Sequence, residues 1–215
     1  MIVLLFRCPF SPAPPFLPLC PSPTAHAKLP CMTTPSMTLP QRLRDWSKLT
    51  WPIAAATVLY GVSQAFLYVM LSRAGGGKAL TLQTTLSNET FHRIAAELIA
   101  DGRIAVYYRH FYLDYLHPFW YAALLSLLLA RLFVANGVSS RSDWLLLAPW
   151  FAAACDLFEN TMHLYFLANL ERATPLLVAI SGTATNIKWA ITGACTVAIA
   201  LLLGHWVLVA RGRLN

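Results

Sequence analysis

The chain is predicted to fold as an all-α, four-helix transmembrane bundle with an interfacial helix in its first loop. Three observations predict it. Of the 215 residues 57% are hydrophobic and only 12% charged, and the mean hydropathy of +0.55 belongs to a chain solvated by lipid rather than by water. Four apolar runs, at about 51–71, 117–135, 144–168 and 175–206, each come near or pass the ~20 residues that cross a hydrocarbon core. The Lys and Arg residues stand singly at the ends of these runs, so the formal charge of +7 makes topology signals and no phosphate-binding patch; nucleic acid is excluded as a partner.

Residues 1–40 hold ten of the fourteen prolines, which forbids a regular helix there and predicts a disordered leader. The apolar run Ile2–Phe6 is too short for the core of a signal peptide, and Met32 and Met37 stand beside Met1 as alternative starts. Residues 41–215 then form a single bundle without a soluble domain. Arg42, Arg44 and Lys48 precede the first run, Arg131 and Arg141 bracket the second turn, and Arg211 and Arg213 follow the last run. This bias places both termini in the cytoplasm, against the charges Arg73, Lys78, Arg93, Arg103 and Arg109 of the longer first loop, which translocate more readily. Cys155 and Cys195 fall at membrane depth and Cys8, Cys20 and Cys31 in the leader, without disulfide or zinc spacing.

In the first span Thr57, Tyr60, Gln64 and Tyr68 recur at helical spacing as a polar stripe, and Gly75-Gly76-Gly77 ends it as a flexible break. The loop carries an amphipathic helix at about 87–101, with Phe91, Ile94, Ala95, Leu98 and Ile99 on one side, Ser87 or Asn88 as cap and Gly102 as stop. From Tyr107 to Tyr121 the dense aromatics read as an interfacial belt, and within it Asp114 and His117 share one face. Pro118 fits the first turn of the second span. Ser142 or Asp143 is the expected cap of the third helix, with Pro149 placed to kink it. Thr174 and Pro175 make a start signal for the fourth.

The third run contains Asp156-Leu157-Phe158-Glu159-Asn160-Thr161-Met162-His163. At 100° per residue, Asp156, Glu159, Asn160 and His163 form one stripe, at a depth where an unpaired charge costs roughly 3 kcal/mol or more. The fourth run carries Ser181, Thr185, Lys188 and Thr192 on one face. Counted at 1.5 Å per residue, Asp156 lies about 18 Å into its helix and Lys188 about 20 Å into an antiparallel neighbour. An Asp156–Lys188 pair is therefore within reach. Two carboxylates against one ammonium leave a charge to be balanced by a proton on Glu159 or His163, or by a bound cation. Asp156, Glu159 and His163 together offer mixed oxygen and nitrogen donors for a metal, without the spacing of a strong metal motif.

The pattern Asp114 with His117-Pro118, Asp156-x-x-Glu159-Asn160 and Lys188-Trp189, over roughly 108–205, resembles a group of small bacterial four-span integral membrane proteins. The resemblance implies a bacterial inner-membrane location, the fold and the position of the site, and no activity. A more distant similarity is to four-span sterol isomerases, which also place acids in an aromatic-lined bundle cavity; their motifs are missing here, and no catalytic role carries over.

The expected pocket opens to the outer side and is lined by Asp114, His117, Tyr121, Asp156, Glu159, Asn160, His163, Thr185 and Lys188, with lesser parts for Gln64 and Tyr68. The function expected of it is binding or movement of a proton, cation or small polar ligand. Glu159 and His163 would exchange the proton, Lys188 would balance Asp156, and Asn160 would orient the ligand. Two alternatives stand beside it. One is an intramembrane enzyme acting on a lipid or isoprenoid, which requires an apolar tunnel continuous with the pocket. The other is an assembly subunit whose polar network only fixes helix register, which requires a sealed stripe and an exposed packing face at Gly182, Gly193 and Thr57–Gly61. Membrane lipid is the expected surrounding partner, an oligomer is compatible with these small residues, and the sequence names no cofactor.

Overall fold

The computed structural model describes residues 37–212, and over them the regular structure is helical, with no strand. The predicted leader lies outside the described residues except for its last four, and helix α1 (Leu39–Ser47) already opens within these. The Gln41 side chain accepts a hydrogen bond from the Thr38 backbone N–H at 2.8 Å, and Pro40 occupies the first turn, so the N-terminal donors of this short helix are met locally.

Helix α2 (Thr50–Arg73) follows at once and covers the first predicted span. Its end is no flexible break: Gly75 and Gly76 take positive φ, and the Gly76 N–H donates to the Leu71 carbonyl at 2.8 Å. Such a left-handed exit is open to glycine without steric cost, and it turns the chain directly into α3 (Gly77–Thr84), which periodicity did not reveal. Helix α4 (Asn88–Ala100) is the predicted amphipathic helix, with the Ser87 hydroxyl accepting from the Thr90 N–H and Gly102 in the left-handed region beyond its end. Phe91, Ile94, Ala95 and Leu98 are buried as expected, whereas Ile99 is half exposed. Its apolar face packs on α3 and on the helices below it, so the bundle rather than lipid covers that face.

The aromatic stretch forms another helix, α5 (Ile104–Asp114), instead of a uniform belt. Tyr107, His110, Phe111 and Asp114 turn inward while Tyr108 and Tyr112 stay exposed. That spacing of three, four and seven is one helical face. Helix α6 (His117–Ala135) carries Pro118 in its first turn, where the missing N–H costs nothing. Ser140–Leu147 form a 3₁₀ segment, so the next helix, α7 (Ala148–Ala168), starts four residues later than predicted. Neither Ser142 nor Asp143 caps it. Asp143 accepts from Arg44 Nε at 2.6 Å instead, and Pro149 begins the helix rather than kinking it. Helix α8 (Pro175–Gly212) starts at the predicted signal, with the Leu177 N–H donating to the Thr174 hydroxyl at 3.5 Å.

Helix α7 packs between α6 and α8, α2 packs on α5 and α6, and α3 and α4 cover the start of α8. Gly182 makes the last contact possible: a Cβ there would collide with the Thr85 carbonyl oxygen, and Asn186 next to it donates to the Thr84 carbonyl at 3.0 Å. At the other end, Arg131 donates to the Ser47 and Lys48 carbonyls at 2.8 and 2.9 Å, and Arg44 donates to Val138 at 2.9 Å. His205 of α8 meets the Asn136 side chain there, at 2.6 Å. Thus α1, the α6–α7 turn and the last turns of α8 gather at one end, and α3, α4 and the α7–α8 turn at the other.

Of the four expected apolar spans, three meet the length and apolarity that crossing a membrane requires. α2, α6 and α8 are long and apolar enough to cross a membrane. α7 has the length, 21 residues, but Asp156, Glu159, Asn160 and His163 remove the apolarity that lipid exposure demands. All four of these side chains are buried, so the remaining helices supply the contacts that lipid would not.

Candidate functional site

Lys188 stands where α8 faces α7, and its ammonium joins two successive acidic positions of that helix. Nζ lies 2.8 Å from Asp156 Oδ1 and 2.5 Å from Glu159 Oε2. The lysine therefore takes the predicted partner and a second one besides. Asp156, Glu159 and Lys188 are at most 7% exposed, and burial strengthens each contact while raising the cost of losing any one of them. Among the described residues Glu159 Oε1 has no hydrogen-bond partner. Thr185, one turn before Lys188, is fully buried beside this acid and donates to the Ser181 carbonyl at 3.1 Å.

Two further groups sit behind the ion cluster. Asn160 donates to the Asp114 carbonyl at 3.0 Å, and its own amide oxygen has no partner. His163 Nδ1 pairs with the Tyr107 hydroxyl at 3.0 Å and is ringed by Phe91, Phe111 and Phe166. Glu159 and His163, expected to share a proton, make no hydrogen bond to each other. Nor do Asp156, Glu159 and His163 converge as donors. The two acids aim at Lys188 and the imidazole at Tyr107, and among the described residues no group of three His, Cys, Asp or Glu is placed to hold a metal.

In front of the cluster lies a cavity of about 670 Å³. Asp156 and Lys188 form part of its wall, with Asp114, His117 and Tyr121 beside them and Gln64 from α2. Tyr68, expected to contribute, points outward at 71% exposure. Glu159, Asn160, His163 and Thr185 are not on the wall. The nine predicted residues thus separate into a layer that meets the cavity and a sealed layer behind it.

His117 is held from two sides, by the Ser63 hydroxyl 2.8 Å from Nδ1 and by the Tyr60 ring stacked at 5.4 Å. Its Nδ1 is committed by that contact, and the ring is fixed in orientation. The Tyr121 hydroxyl is buried on the cavity wall without a hydrogen-bond partner among the described residues. Sequence spacing did not select Ser63, Gln83, Tyr107, His110 or Trp189. Gln83 and Trp189 line the cavity, while His110 bonds the Tyr107 carbonyl through Nδ1 and approaches Asp114 to 3.7 Å. The signal for Tyr107 and His110 was present as their helical register with Phe111 and Asp114. The others depend on which helices become neighbours.

The fold and site define an all-helical chain of membrane-type composition with a charged cluster at the floor of a side cavity. Compared with protein-family models, with curated proteins and with solved structures, the chain matches none.

Proposed function

We propose that this chain is a four-span protein of the bacterial inner membrane, both termini cytoplasmic, whose cavity binds or moves a proton, a cation or a small polar ligand. One observation carries the proposal: an ammonium shared by two buried carboxylates forms the floor of a cavity large enough for a ligand. A polar network that served helix register alone would need no space in front of it. Ionisable groups at membrane depth are costly and accompany ion and substrate paths. The gathering of Arg44, Arg131 and the end of α8 at one end of the bundle supports placing both termini on one side, and α7, shielded by its neighbours, serves as the fourth span.

In this scheme Asp156 and Lys188 contact the ligand, His117 and Tyr121 orient it, and Glu159, with one oxygen free, carries the proton. The enzyme alternative draws support from the apolar residues that continue the cavity wall. Of the packing face that the assembly alternative requires, Gly182 is covered by Thr85 and Leu86, while Gly61 and Gly193 have open space around them.

Trp189 lies on the wall, with its ring centroid 5.6 Å from Lys188 Nζ, and so reports on the site. Difference fluorescence between the wild type and Trp189→Phe, titrated with methylammonium and with Na⁺ from pH 5 to 9, should show a saturable change that Asp156→Asn abolishes. No saturable response to either cation or to pH, or a response unchanged in Asp156→Asn, overturns the proposal.

A further inference from the structure

The lining of the cavity is mixed. Asp156, Lys188, Asp114 and the Tyr121 side chain share the lining with Leu67 and Leu71 of α2, Leu124 and Leu125 of α6, and Val197 of α8. α2 and α8 make no substantial contact with each other, each packing on α6 instead. Both are helices apolar enough to cross a membrane, so the side of the cavity between them faces the hydrocarbon. Gln64, Gln83, Thr192 and Thr196 interrupt the lining, and the two threonines spend their hydroxyls on carbonyls of their own helix, so the leucines and Val197 leave a strip on which an alkyl chain can lie.

Charge narrows the polar end. Lys188 already donates to both Asp156 and Glu159, and Asp114 adds a third carboxyl to the same region. A phosphate or carboxylate would have to displace an acid from the lysine and then sit among the others, which costs more than it returns. A hydroxyl or an amine meets no such obstacle. Either can donate to a carboxylate or to the Tyr121 oxygen, and a hydroxyl can also accept from the Tyr121 O–H, a group on a buried residue that has no hydrogen-bond partner among the described residues.

We propose that the cavity takes a single-chain amphiphile from the bilayer through the gap between α2 and α8, with an uncharged or cationic hydrogen-bonding head at Asp156, Lys188 and Tyr121 and its chain along the apolar wall. The inference rests on the reading of this cavity as a ligand site and names the class of ligand. At about 30 Å³ per non-hydrogen atom, taking water's share of liquid volume, 670 Å³ accommodates on the order of twenty such atoms. That is one alkyl chain and its head, and too little for a two-chain phospholipid.

The full chain in phosphatidylcholine nanodiscs is photolabelled with diazirine-bearing hexadecylamine, hexadecanol and hexadecanoic acid at equal mole fractions. The amine and the alcohol should mark peptides around Leu67–Leu71 and Thr192–Val197, with the acid at least tenfold weaker there. Gly193→Trp supplies the control. Gly193 lines the cavity and a Cβ on it meets nothing within 4 Å, so the indole fills space instead of displacing packing. It should cut labelling by the amine tenfold at unchanged thermal stability. Equal labelling by the acid refutes the head-group assignment, and labelling that Gly193→Trp leaves intact refutes the cavity as the binding place. Binding of methylammonium through Trp189 is read separately: if it saturates while hexadecylamine marks only the lipid-facing surface, the inference fails and the ligand site stands.

Discussion

Lys188 is the cation that the buried acids Asp156 and Glu159 share, and its removal separates two ideas about buried charge. Lys188→Met leaves Asp156 and Glu159 facing each other without a cation, and the loss is expected at about 3–5 kcal/mol, measured as a fall in unfolding midpoint in detergent. Adding Asp156→Asn and Glu159→Gln to the same chain should recover most of that stability, because the cost lies in the unpaired acids. At the mouth, Ser63→Ala removes the group on His117 Nδ1 and should cost about 1 kcal/mol while freeing the imidazole to reorient. The stripe Asp156, Glu159, Asn160 and His163 could be read from spacing, since 100° per residue applies to any helix. The partners Ser63, Tyr107 and Gln83 could not, because nothing local to a residue says which distant turn will pack on it.

Among the elements, those with one strong period were legible and those built from short or mixed segments were not. α4 shows its apolar face and its serine cap in sequence, and α6 and α8 their long, largely apolar runs. α3 has eight residues, too few for a period to stand out, and its start depends on the left-handed turn at Gly75 and Gly76. α5 hides its inward face, since aromatic residues surround it on every side. α7 was read as a span by length, yet its polar stripe is what makes its burial obligatory. The junction of α3 with α8 gives an element-scale prediction. Gly182→Ala must push the Thr84–Leu86 segment off α8, at an expected cost of about 1–3 kcal/mol. Hydrogen exchange should rise in α3 and α4 and stay unchanged around Asn136 and His205; protection unchanged in α3 would contradict the close approach.

For the whole molecule, orientation is open to direct test. In a cysteine-free background, Ser139→Cys and Arg211→Cys should react with an impermeant thiol reagent from the cytoplasmic side, and Arg172→Cys from the opposite side. The loop helices are tied across that opposite end by Lys78, which lies 3.0 Å from Glu97 and 3.4 Å from Asp101. Hydrogen bonds donated by Lys78 and Arg93 hold the Glu97 carboxyl below its ordinary 4.5, and donation to Glu97 and Asp101 holds Lys78 above 10.5. The tie is therefore at full strength between these values. It is lost on the acid side as pH falls through the depressed value of Glu97, and on the alkaline side as pH rises through the raised value of Lys78. Exchange at α3 and α4 should increase at both extremes, and Glu97→Gln should remove the acid-side part.

One clamp has a mechanical consequence. A single ammonium gripping two consecutive turns of its neighbour fixes α7 and α8 along their common axis, because a slide of one helical turn, about 5.4 Å, would break both grips together. α2 shares no such grip with α8. Any breathing of the interior space therefore falls to α2, swinging against a pair that travels as one rigid strut.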